Sequence, residues 1–212
     1  KIYSYIIYHM SIPGRKLPVE LESPIDHQII RVIEIIGPYI FFNKHLPIVS
    51  PNIITTISLL LSIMGIYEIS NNNYRKGAIL TFVGYMFDCW DGYVARRFNM
   101  GSQFGDLYDH LSDIFKILFL IVIIFNLKIH FKTKIAFIVV LSIFLMFSNI
   151  YLGCQEQYFG EESVLSVLKL LCPNKSMIKY FRFTSTGTFF LALSLFIYNI
   201  DTIDKYIVAK FA

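Results

Sequence analysis

Apolar segments about as long as a bilayer is thick are the feature of this sequence that most restricts its fold. A helix needs about 20 consecutive apolar residues to cross the hydrocarbon core of a membrane. Segments that meet or approach this length occupy residues 53–69, 77–94, 107–127, 135–152 and 183–200. Only 16% of the residues are charged, compared with about a quarter in a typical soluble domain. We therefore predict an all-α integral membrane protein that crosses the membrane several times.

Shorter segments around these spans complete the predicted bundle. Residues 164–171 are apolar but too short to cross alone, so we expect a re-entrant or tilted helix there. Residues 25–42 alternate isoleucines with polar residues such as Arg31 and Glu34, which is typical of an amphipathic helix lying at the membrane interface. The prediction is a bundle of about six transmembrane helices, with five as the alternative, preceded by this interfacial helix.

The chain shows no internal repeat or linker that would separate two domains. We assign residues 1–24 to an N-terminal segment and residues 25–212 to one membrane domain. Residues 2–10 are apolar but short, and no small-residue cleavage site follows them cleanly. A signal peptide is therefore not expected.

Charge and cysteine content restrict the partners. The net charge of +4 includes no long run of Lys and Arg, which argues against nucleic acid and is compatible with an anionic membrane surface or substrate. The distribution of basic residues predicts that the side that holds the N-terminal region, Arg96 and Arg97 faces the cytosol. The 3 cysteines form no CxxC pair, so we predict free thiols at Cys89, Cys154 and Cys172.

Aspartates interrupt two of the apolar segments, within residues 77–127. An aspartate at the centre of a membrane helix costs roughly 2.5–3.5 kcal/mol, so a cluster of them must face a polar cavity or be neutralised by cations. These residues are Asp88, Asp91, Asp106, Asp109 and Asp113.

The spacing of the aspartates predicts that they converge. Asp88 and Asp91 are three residues apart and Asp109 and Asp113 are four apart, so each pair lies on one helix face. The short polar segment 97–103 must turn the chain, which makes the two helices antiparallel neighbours. Four facing carboxylates repel one another unless cations lie between them. Oxygen ligands of this kind suit Mg²⁺ or Mn²⁺, and a pair of such ions is a known arrangement for phosphoryl transfer.

Small residues accompany the aspartates. Gly92, Ala95 and Gly105 remove side chains from the same wall, although glycines four residues apart, such as 101 and 105, also serve helix packing. Arg96 follows this wall and is suited to pairing with a phosphate. For Arg97 and Lys116 we expect aliphatic stems in the membrane and charged ends at the interface.

Residues 88–113 read Asp88-xx-Asp91-Gly92-xx-Ala95-Arg96, then eight residues, then Gly105-xxx-Asp109-xxx-Asp113. This stretch resembles the complete signature of the CDP-alcohol phosphatidyltransferase family, and Pro51-Asn52-xx-Thr55 resembles the family as well. The resemblance implies six membrane helices, a homodimer, and an active site open to the cytosolic leaflet. It also implies transfer of a substituted phosphate from a CDP-linked donor to a hydroxyl acceptor, with release of CMP.

The resemblance also implies roles for single residues of the catalytic helices, at about residues 77–127. Asp88, Asp91 and Asp109 would bind two Mg²⁺ or Mn²⁺ ions. Asp113 would contribute to the metal site and act as general base on the acceptor hydroxyl. Positions that would contact the CDP moiety are Asn52, Thr55, Gly92, Ala95, Arg96 and Gly105.

The acceptor stays open between inositol, a glycerol derivative, serine and diacylglycerol. Asp109-His110 resembles choline and ethanolamine phosphotransferases, which act on diacylglycerol. Residues 99–105 resemble phosphatidylinositol synthases, but Ile114 replaces the arginine that commonly follows the last aspartate there. The Asp-Pro-xx-Asp form of phosphatidylglycerophosphate synthases is absent, because His110 replaces the proline. For His110 itself, a hydrogen bond on the helix surface is the first interpretation and a headgroup contact the second.

Two other classes of membrane protein use intramembrane aspartates. Intramembrane prenyltransferases have aspartate motifs that lack the Gly-xx-Ala-Arg insert. A divalent-cation transporter would explain the paired aspartates but not Gly92, Ala95, Arg96 and Gly105. A CDP-dependent transferase, with CDP-diacylglycerol as the first choice of donor, is therefore the leading hypothesis.

Overall fold

The computed structural model describes residues 13–43, 48–159 and 164–211, and every regular element in those ranges is helical. The all-α prediction is confirmed for this part of the chain. Residues 2–10, for which no signal peptide is expected, lie outside the described residues.

The first helix, α1 (Pro24–Ile40), coincides closely with the predicted interfacial helix. Ser23 caps it, because its side chain accepts a hydrogen bond from the Asp26 N–H at 3.4 Å, and Pro24 occupies the first turn, where a missing N–H costs nothing. Ile29, Ile30 and Ile33 are buried along one face. This face of the helix therefore packs against the bundle, while the predicted position at the membrane interface stays a prediction.

The first four predicted spans are each part of a long helix. They are α2 (Pro51–Ser70), α3 (Tyr74–Arg97), α4 (Gln103–Asn126) and α5 (Phe131–Phe159). After α5 the chain forms a 3-10 helix at Val164–Leu171, the short α6 (Ile178–Phe181), α7 (Thr186–Tyr198) and α8 (Ile200–Phe211). The 3-10 helix lies where the sequence predicted a re-entrant or tilted helix.

Three stretches are long and apolar enough to cross a membrane, by length and composition: Pro51–Ser70, Phe131–Tyr158 and Lys175–Tyr198. Apolar side chains are exposed along these stretches, including Leu60 on α2 and Val139 on α5, and also on α4, where Leu118 is exposed. Soluble proteins seldom expose contiguous apolar surface. The structure is thus consistent with a membrane protein, whereas crossing by the charged helices α3 and α4 remains a prediction.

Helices α2 and α3 pack most closely of all the elements, because glycines face the contact. A Cβ atom added at Gly77 would lie 2.8 Å from the Gly65 carbonyl oxygen, and one at Gly84 would lie 3.1 Å from the Ser58 carbonyl oxygen. Helix α4 packs against α2 and makes few or no close backbone contacts with α3. Helices α3 and α4 were predicted to be antiparallel neighbours, and their side chains do meet, with Lys116 Nζ 2.5 Å from Asp88 Oδ1. Their backbones stay apart, so the space between them is available for a site.

Two of the cysteines predicted as free thiols are instead joined. Cys154 in α5 and Cys172 form a disulfide with a Cα–Cα distance of 4.9 Å, whereas Cys89 is free. The segment after α5 folds back onto it, so that Gln157 Nε2 donates hydrogen bonds to the carbonyl oxygens of Lys169 at 2.7 Å and Cys172 at 3.0 Å. The two cysteines are 18 residues apart in the sequence, so no local spacing pattern predicts that they pair.

Candidate active site

The aspartates predicted to converge do so. Carboxylate oxygens of Asp88, Asp91 and Asp109 lie within 4.8 Å of one another, and Asp109 and Asp113 form a second group with His110 by the same measure. Asp91 is 4% exposed and the other three aspartates are half-buried. The acidic cluster, defined as Asp88, Asp91, Asp109 and Asp113, therefore joins α3 to α4 across the gap between them.

The turn between α3 and α4 sets the register of the cluster. Asn99 adopts a positive φ of 53°, which asparagine tolerates better than most residues. The Met100 N–H donates to the Ala95 carbonyl oxygen at 2.8 Å. Ser102 then caps α4, its hydroxyl accepting from the Gly105 N–H at 3.0 Å. These contacts start α4 at Gln103, nearly two turns before Asp109.

Hydroxyl groups from α2 complete the surroundings of the cluster. Thr55 Oγ1 donates to Asp91 Oδ2 at 2.6 Å, and Ser58 Oγ donates to Asp88 Oδ1 at 3.3 Å. The sequence pointed to Thr55 as a nucleotide contact and missed both its bond to Asp91 and the part played by Ser58. Thr55 and Ser58 are three residues apart and lie on one face of α2. This spacing is the sequence signal that could have predicted their shared role beside the aspartates.

Lys116 is the largest departure from the sequence-based picture. Its side chain does not reach the interface: Lys116 is 5% exposed, and Nζ lies 2.5 Å from Asp88 Oδ1, 2.9 Å from Asp113 Oδ1 and 3.1 Å from Ser58 Oγ. Burying an ammonium is unfavourable unless it is paired and hydrogen-bonded, and here all three donors find acceptors. Lys116 follows Asp109 and Asp113 on one helix face, at i, i+4 and i+7, a pattern that is visible in the sequence.

The acidic cluster fits a divalent cation on structural grounds. Asp109 Oδ1 is buried and has no hydrogen-bond partner among the described residues. Buried polar atoms are normally satisfied by a partner, so an exception calls for an unseen ion or water. Carboxylate oxygens are ligands that Mg²⁺ and Mn²⁺ prefer. The oxygens of Asp88, Asp91 and Asp109 thus form a suitable set for such an ion.

A cavity of about 540 Å³ opens beside Asp91 and Asp109; we call it the larger cavity. It is lined by all the positions that the family resemblance assigned to the CDP moiety, namely Asn52, Thr55, Gly92, Ala95, Arg96 and Gly105. A Cβ atom at Gly105 would lie 3.0 Å from Asn52 Oδ1, and one at Gly92 would lie 3.0 Å from Arg96 Nη1. The two glycines therefore keep this wall open.

Arg96 supplies a cation to the larger cavity. Its Nε donates to the Gly14 carbonyl oxygen at 3.0 Å, which fixes the guanidinium. It forms no ion pair with any carboxylate in the described ranges. A fixed guanidinium of this kind is suited to a phosphate.

A second cavity of about 390 Å³, the smaller cavity, lies on the other side of Asp109. Asp88 and Asp113 line it together with residues from distant parts of the chain, including Arg15, Asn149 and Gln155. Lys16, Arg96, Asp109, His110 and Leu165 line both cavities. The acidic cluster therefore lies where the two cavities meet.

Ion pairs hold the N-terminal side of the smaller cavity. Arg15 donates through Nε and Nη2 to the Glu34 carboxylate at 2.9 and 2.8 Å and also pairs with Glu22, while Lys16 pairs with Glu156. The carboxylate and hydrogen-bond partners raise the pKa of Arg15 against the opposing effect of burial. Sequence patterns did not point to these residues, because their partners lie on other elements.

Asp26 of α1 also lines the smaller cavity. The Tyr85 hydroxyl donates to its Oδ1 at 2.6 Å. Burial raises the pKa of Asp26 to about 6, against the lowering effect of that hydrogen bond. This carboxyl group therefore takes up a proton closer to neutral pH than an ordinary aspartate does.

His110 makes the helix-surface contact that was its first interpretation. Its Nε2 lies 3.2 Å from Asp106 Oδ1. Its ring also lines both cavities, so a contact with a substrate remains open.

Fold and site together define a helical protein with candidate membrane spans and an acidic cluster, able to hold a metal ion, between two cavities. The sequence model of the CDP-alcohol phosphatidyltransferase family matches residues 48–209, which is more than half of the chain. The chain therefore belongs to this family, a family of phospholipid-synthesising transferases. The match begins after α1, so this helix, predicted to be interfacial, lies outside it.

Curated relatives match shorter stretches. A CDP-diacylglycerol–glycerol-3-phosphate 3-phosphatidyltransferase of Rickettsia felis is 36% identical over 81 residues, covering 37% of this chain and 44% of the relative. The protein of the same name from Rickettsia typhi is 33% identical over 66 residues, covering 30% and 37%. An uncharacterized protein of Aquifex aeolicus is 35% identical over 83 residues, covering 39% and 41%. The chain thus spans about two fifths of the length of these relatives. No solved structure matches this chain.

Proposed function

We propose that this protein transfers a substituted phosphate from a CDP-linked donor, with CDP-diacylglycerol as the first choice, to a hydroxyl acceptor and releases CMP. One observation carries the proposal. The positions that the family signature assigns to the nucleotide line a single cavity, and Asp91 and Asp109 of the acidic cluster line it with them. A membrane-embedded site suits a substrate that carries acyl chains.

The four aspartates of the acidic cluster would hold two Mg²⁺ or Mn²⁺ ions. When bound, these ions supply positive charge that neutralises the diphosphate and stabilises CMP as it leaves. The orphaned Asp109 Oδ1 supports this assignment.

The donor nucleotide would occupy the larger cavity. Gly92, Ala95 and Gly105 leave room for it there, and Asn52 lies beside Gly105. Arg96 would pair with the diphosphate, because its guanidinium is fixed by Gly14 and has no carboxylate partner in the described part of the chain. Thr55 is buried and bonded to Asp91, so it would act mainly by holding that carboxylate.

Asp113 would take the proton of the acceptor hydroxyl. A carboxylate within hydrogen-bond reach of a hydroxyl is able to serve as a general base, and Asp113 lines the smaller cavity, where the acceptor would bind. The acceptor oxygen then forms a bond to the phosphorus that carries the lipid. The bond from this phosphorus to the CMP oxygen breaks, and CMP leaves with the electron pair.

Glycerol 3-phosphate is the acceptor that we place first. It is the acceptor in the names of the Rickettsia relatives, and Arg96, which lines both cavities, would offer a cation to its phosphate as well as to the diphosphate of the donor. His110 replaces the proline of the usual Asp-Pro-xx-Asp form. Inositol, serine, and diacylglycerol with CDP-choline or CDP-ethanolamine are therefore the competing substrates to test.

The placement in the membrane extends the proposal. Helices α3 and α4 would cross alongside the three apolar spans, α1 would lie at the interface, and the site would face the cytosol. Each of α3 and α4 has 24 residues, about 36 Å at 1.5 Å per residue, which is sufficient to cross. We also propose that the membrane domain begins at residue 25 and that the protein forms a homodimer.

The test is CMP release by the purified protein in micelles with Mg²⁺ or Mn²⁺, CDP-diacylglycerol and the panel of acceptors. We expect Asp113→Asn to lower kcat by about 10²–10⁴-fold, the usual contribution of a general base. Asp201→Asn, at an exposed aspartate of α8, is the matched control and should be unaffected. Absence of CMP release from every donor, or full activity of Asp113→Asn, contradicts the proposal.

A further inference from the structure

Lys116 places a permanent positive charge inside the acidic cluster. We propose that its ammonium is a built-in cation, which holds Asp113 toward Asp88 and keeps the substrate-free site to one tightly bound divalent ion. A second ion then binds strongly only when the diphosphate arrives. This inference rests on the proposed metal-dependent function and assigns Lys116 as a positioning residue.

The contacts of Lys116 are those of a cation at the centre of a site. An ammonium has three N–H donors, and Nζ has an acceptor for each of them: Asp88 Oδ1 at 2.5 Å, Asp113 Oδ1 at 2.9 Å and Ser58 Oγ at 3.1 Å. These acceptors belong to three helices. The ammonium therefore ties α4 to both α2 and α3 at the point where α3 and α4 have few or no backbone contacts.

The ammonium divides the carboxylates into two groups. It occupies the contact between Asp88 and Asp113, whereas carboxylate oxygens of Asp88, Asp91 and Asp109 remain together within 4.8 Å. A second ion that used Asp113 would have to displace the lysine or lie beside its charge. Like charges at contact distance repel strongly in a site of low dielectric, so the lysine opposes that ion.

Charge balance leads to the same conclusion. The acidic cluster carries four negative charges, and Lys116 together with one divalent ion contributes three positive charges. The remaining unit of negative charge is small enough for a partly buried site. A second divalent ion without substrate would make the site positive, whereas a diphosphate arriving with it would restore the balance.

The stem of Lys116 lies in a different environment from its charge. It lines an apolar cavity of about 100 Å³ with Leu120 and Leu193. Methionine has a similar length and suits such a cavity. Lys116→Met therefore preserves the packing and removes the charge, and Lys116→Arg preserves the charge and changes its shape.

The experiment is titration of the substrate-free protein in micelles with Mn²⁺, followed by the electron paramagnetic resonance of free Mn²⁺. We expect wild type and Lys116→Arg to bind one ion tightly. Lys116→Met should bind a second ion at least about tenfold more tightly than wild type does, because one opposing charge is gone. Lys128→Met, at an exposed lysine after α4, should behave as wild type.

Thermal unfolding provides a second readout. In EDTA, Lys116→Met should unfold at a lower temperature than wild type, because the carboxylates repel without a cation between them. Mn²⁺ should raise its unfolding temperature more than that of wild type. If Lys116→Met stays unfolded at saturating Mn²⁺, the lysine is merely structural and the inference is wrong.

The outcomes separate this inference from the proposed function. Equal stoichiometry and affinity for wild type and Lys116→Met would overturn the role of Lys116 and leave the transferase proposal standing. Absence of Mn²⁺ binding by both proteins would overturn both ideas. Weaker binding by Lys116→Met would show that the lysine assists the ions rather than replacing one.

Discussion

The two cavities that meet at Asp109 are built in different ways. Apart from Lys16, Glu156 and Leu165, every residue that lines the larger cavity comes from positions 51–110. The smaller cavity is lined by residues from position 15 to position 190. The first is therefore made by neighbouring helices of one sequence motif, and the second by the return of distant segments.

The chemistry of the two cavities differs in parallel. Small residues and the guanidinium of Arg96, which has no carboxylate partner in the described ranges, line the larger cavity. The ion pair of Arg15 with Glu22 lies on one side of the smaller cavity, whereas Lys16, which pairs with Glu156, lines both. We infer that the larger cavity serves the nucleotide shared by the family and that the smaller one selects the acceptor. The predictions below test this division.

Asp109→Asn should have the largest effect, because Asp109 belongs to both cavities. Loss of this ligand should lower kcat by about 10²–10⁴-fold and weaken Mn²⁺ binding, since the cluster would lose a charge at the point where its carboxylates meet. CMP release and Mn²⁺ titration measure the two effects. A variant that bound Mn²⁺ like wild type would remove Asp109 from the ligand set.

Thr55→Val should have the second-largest effect. The hydroxyl of Thr55 donates to Asp91 Oδ2 at 2.6 Å, and loss of such a supporting bond typically costs about 10–100-fold in metal affinity or activity. The neighbouring Thr56→Val is the matched control, because Thr56 is exposed and donates to the Asn52 carbonyl oxygen. Equal Mn²⁺ affinities for the two variants would argue against a positioning role for Thr55.

Gly105→Ala should raise the KM for the CDP donor and leave the KM for the acceptor unchanged. Its Cβ would lie 3.0 Å from Asn52 Oδ1, and overpacking of about 1–3 kcal/mol corresponds to about 5- to 150-fold in binding. Gly101→Ala is the control, because a Cβ there meets nothing within 4 Å. A rise in the KM for the acceptor alone would reverse the assignment of the two cavities.

Removal of the disulfide should have the smallest effect on catalysis. The Cys154→Ser/Cys172→Ser variant should lose about 3 kcal/mol in free energy of unfolding, as expected for a loop of about this length. The KM for the acceptor should rise a few-fold, because the tethered 3-10 helix contributes Leu165 to both cavities. Denaturation in micelles with and without reductant checks the first effect. Unchanged stability after reduction would contradict it.

Much of the larger cavity was predictable from residues 88–113. Helical spacing placed Asp88 with Asp91 and Asp109 with Asp113, and the structure confirms that these carboxylates converge. The helices themselves were predictable from apolar segments, with their ends displaced by a few residues. Their packing was not, since α4 lies against α2 rather than α3.

The residues that sequence reasoning missed share one property. Lys116, Ser58 and the Cys154–Cys172 pair all act through partners on another element. An aliphatic stem that ends in an ammonium is equally compatible with an interface and with a buried acidic cluster. Its sequence neighbours do not distinguish the two, because the difference lies in carboxylates that a second helix brings.

The sequence by itself determined that the chain is helical, membrane-like in composition, and equipped with four aspartates on two helix faces. Tertiary structure alone decided which faces meet, where the cavities open and which cation lies between Asp88 and Asp113. The physical reason is the distance over which each kind of constraint acts. The period of a helix fixes neighbours within about one or two turns, whereas distances between helices follow from the packing of all their side chains together.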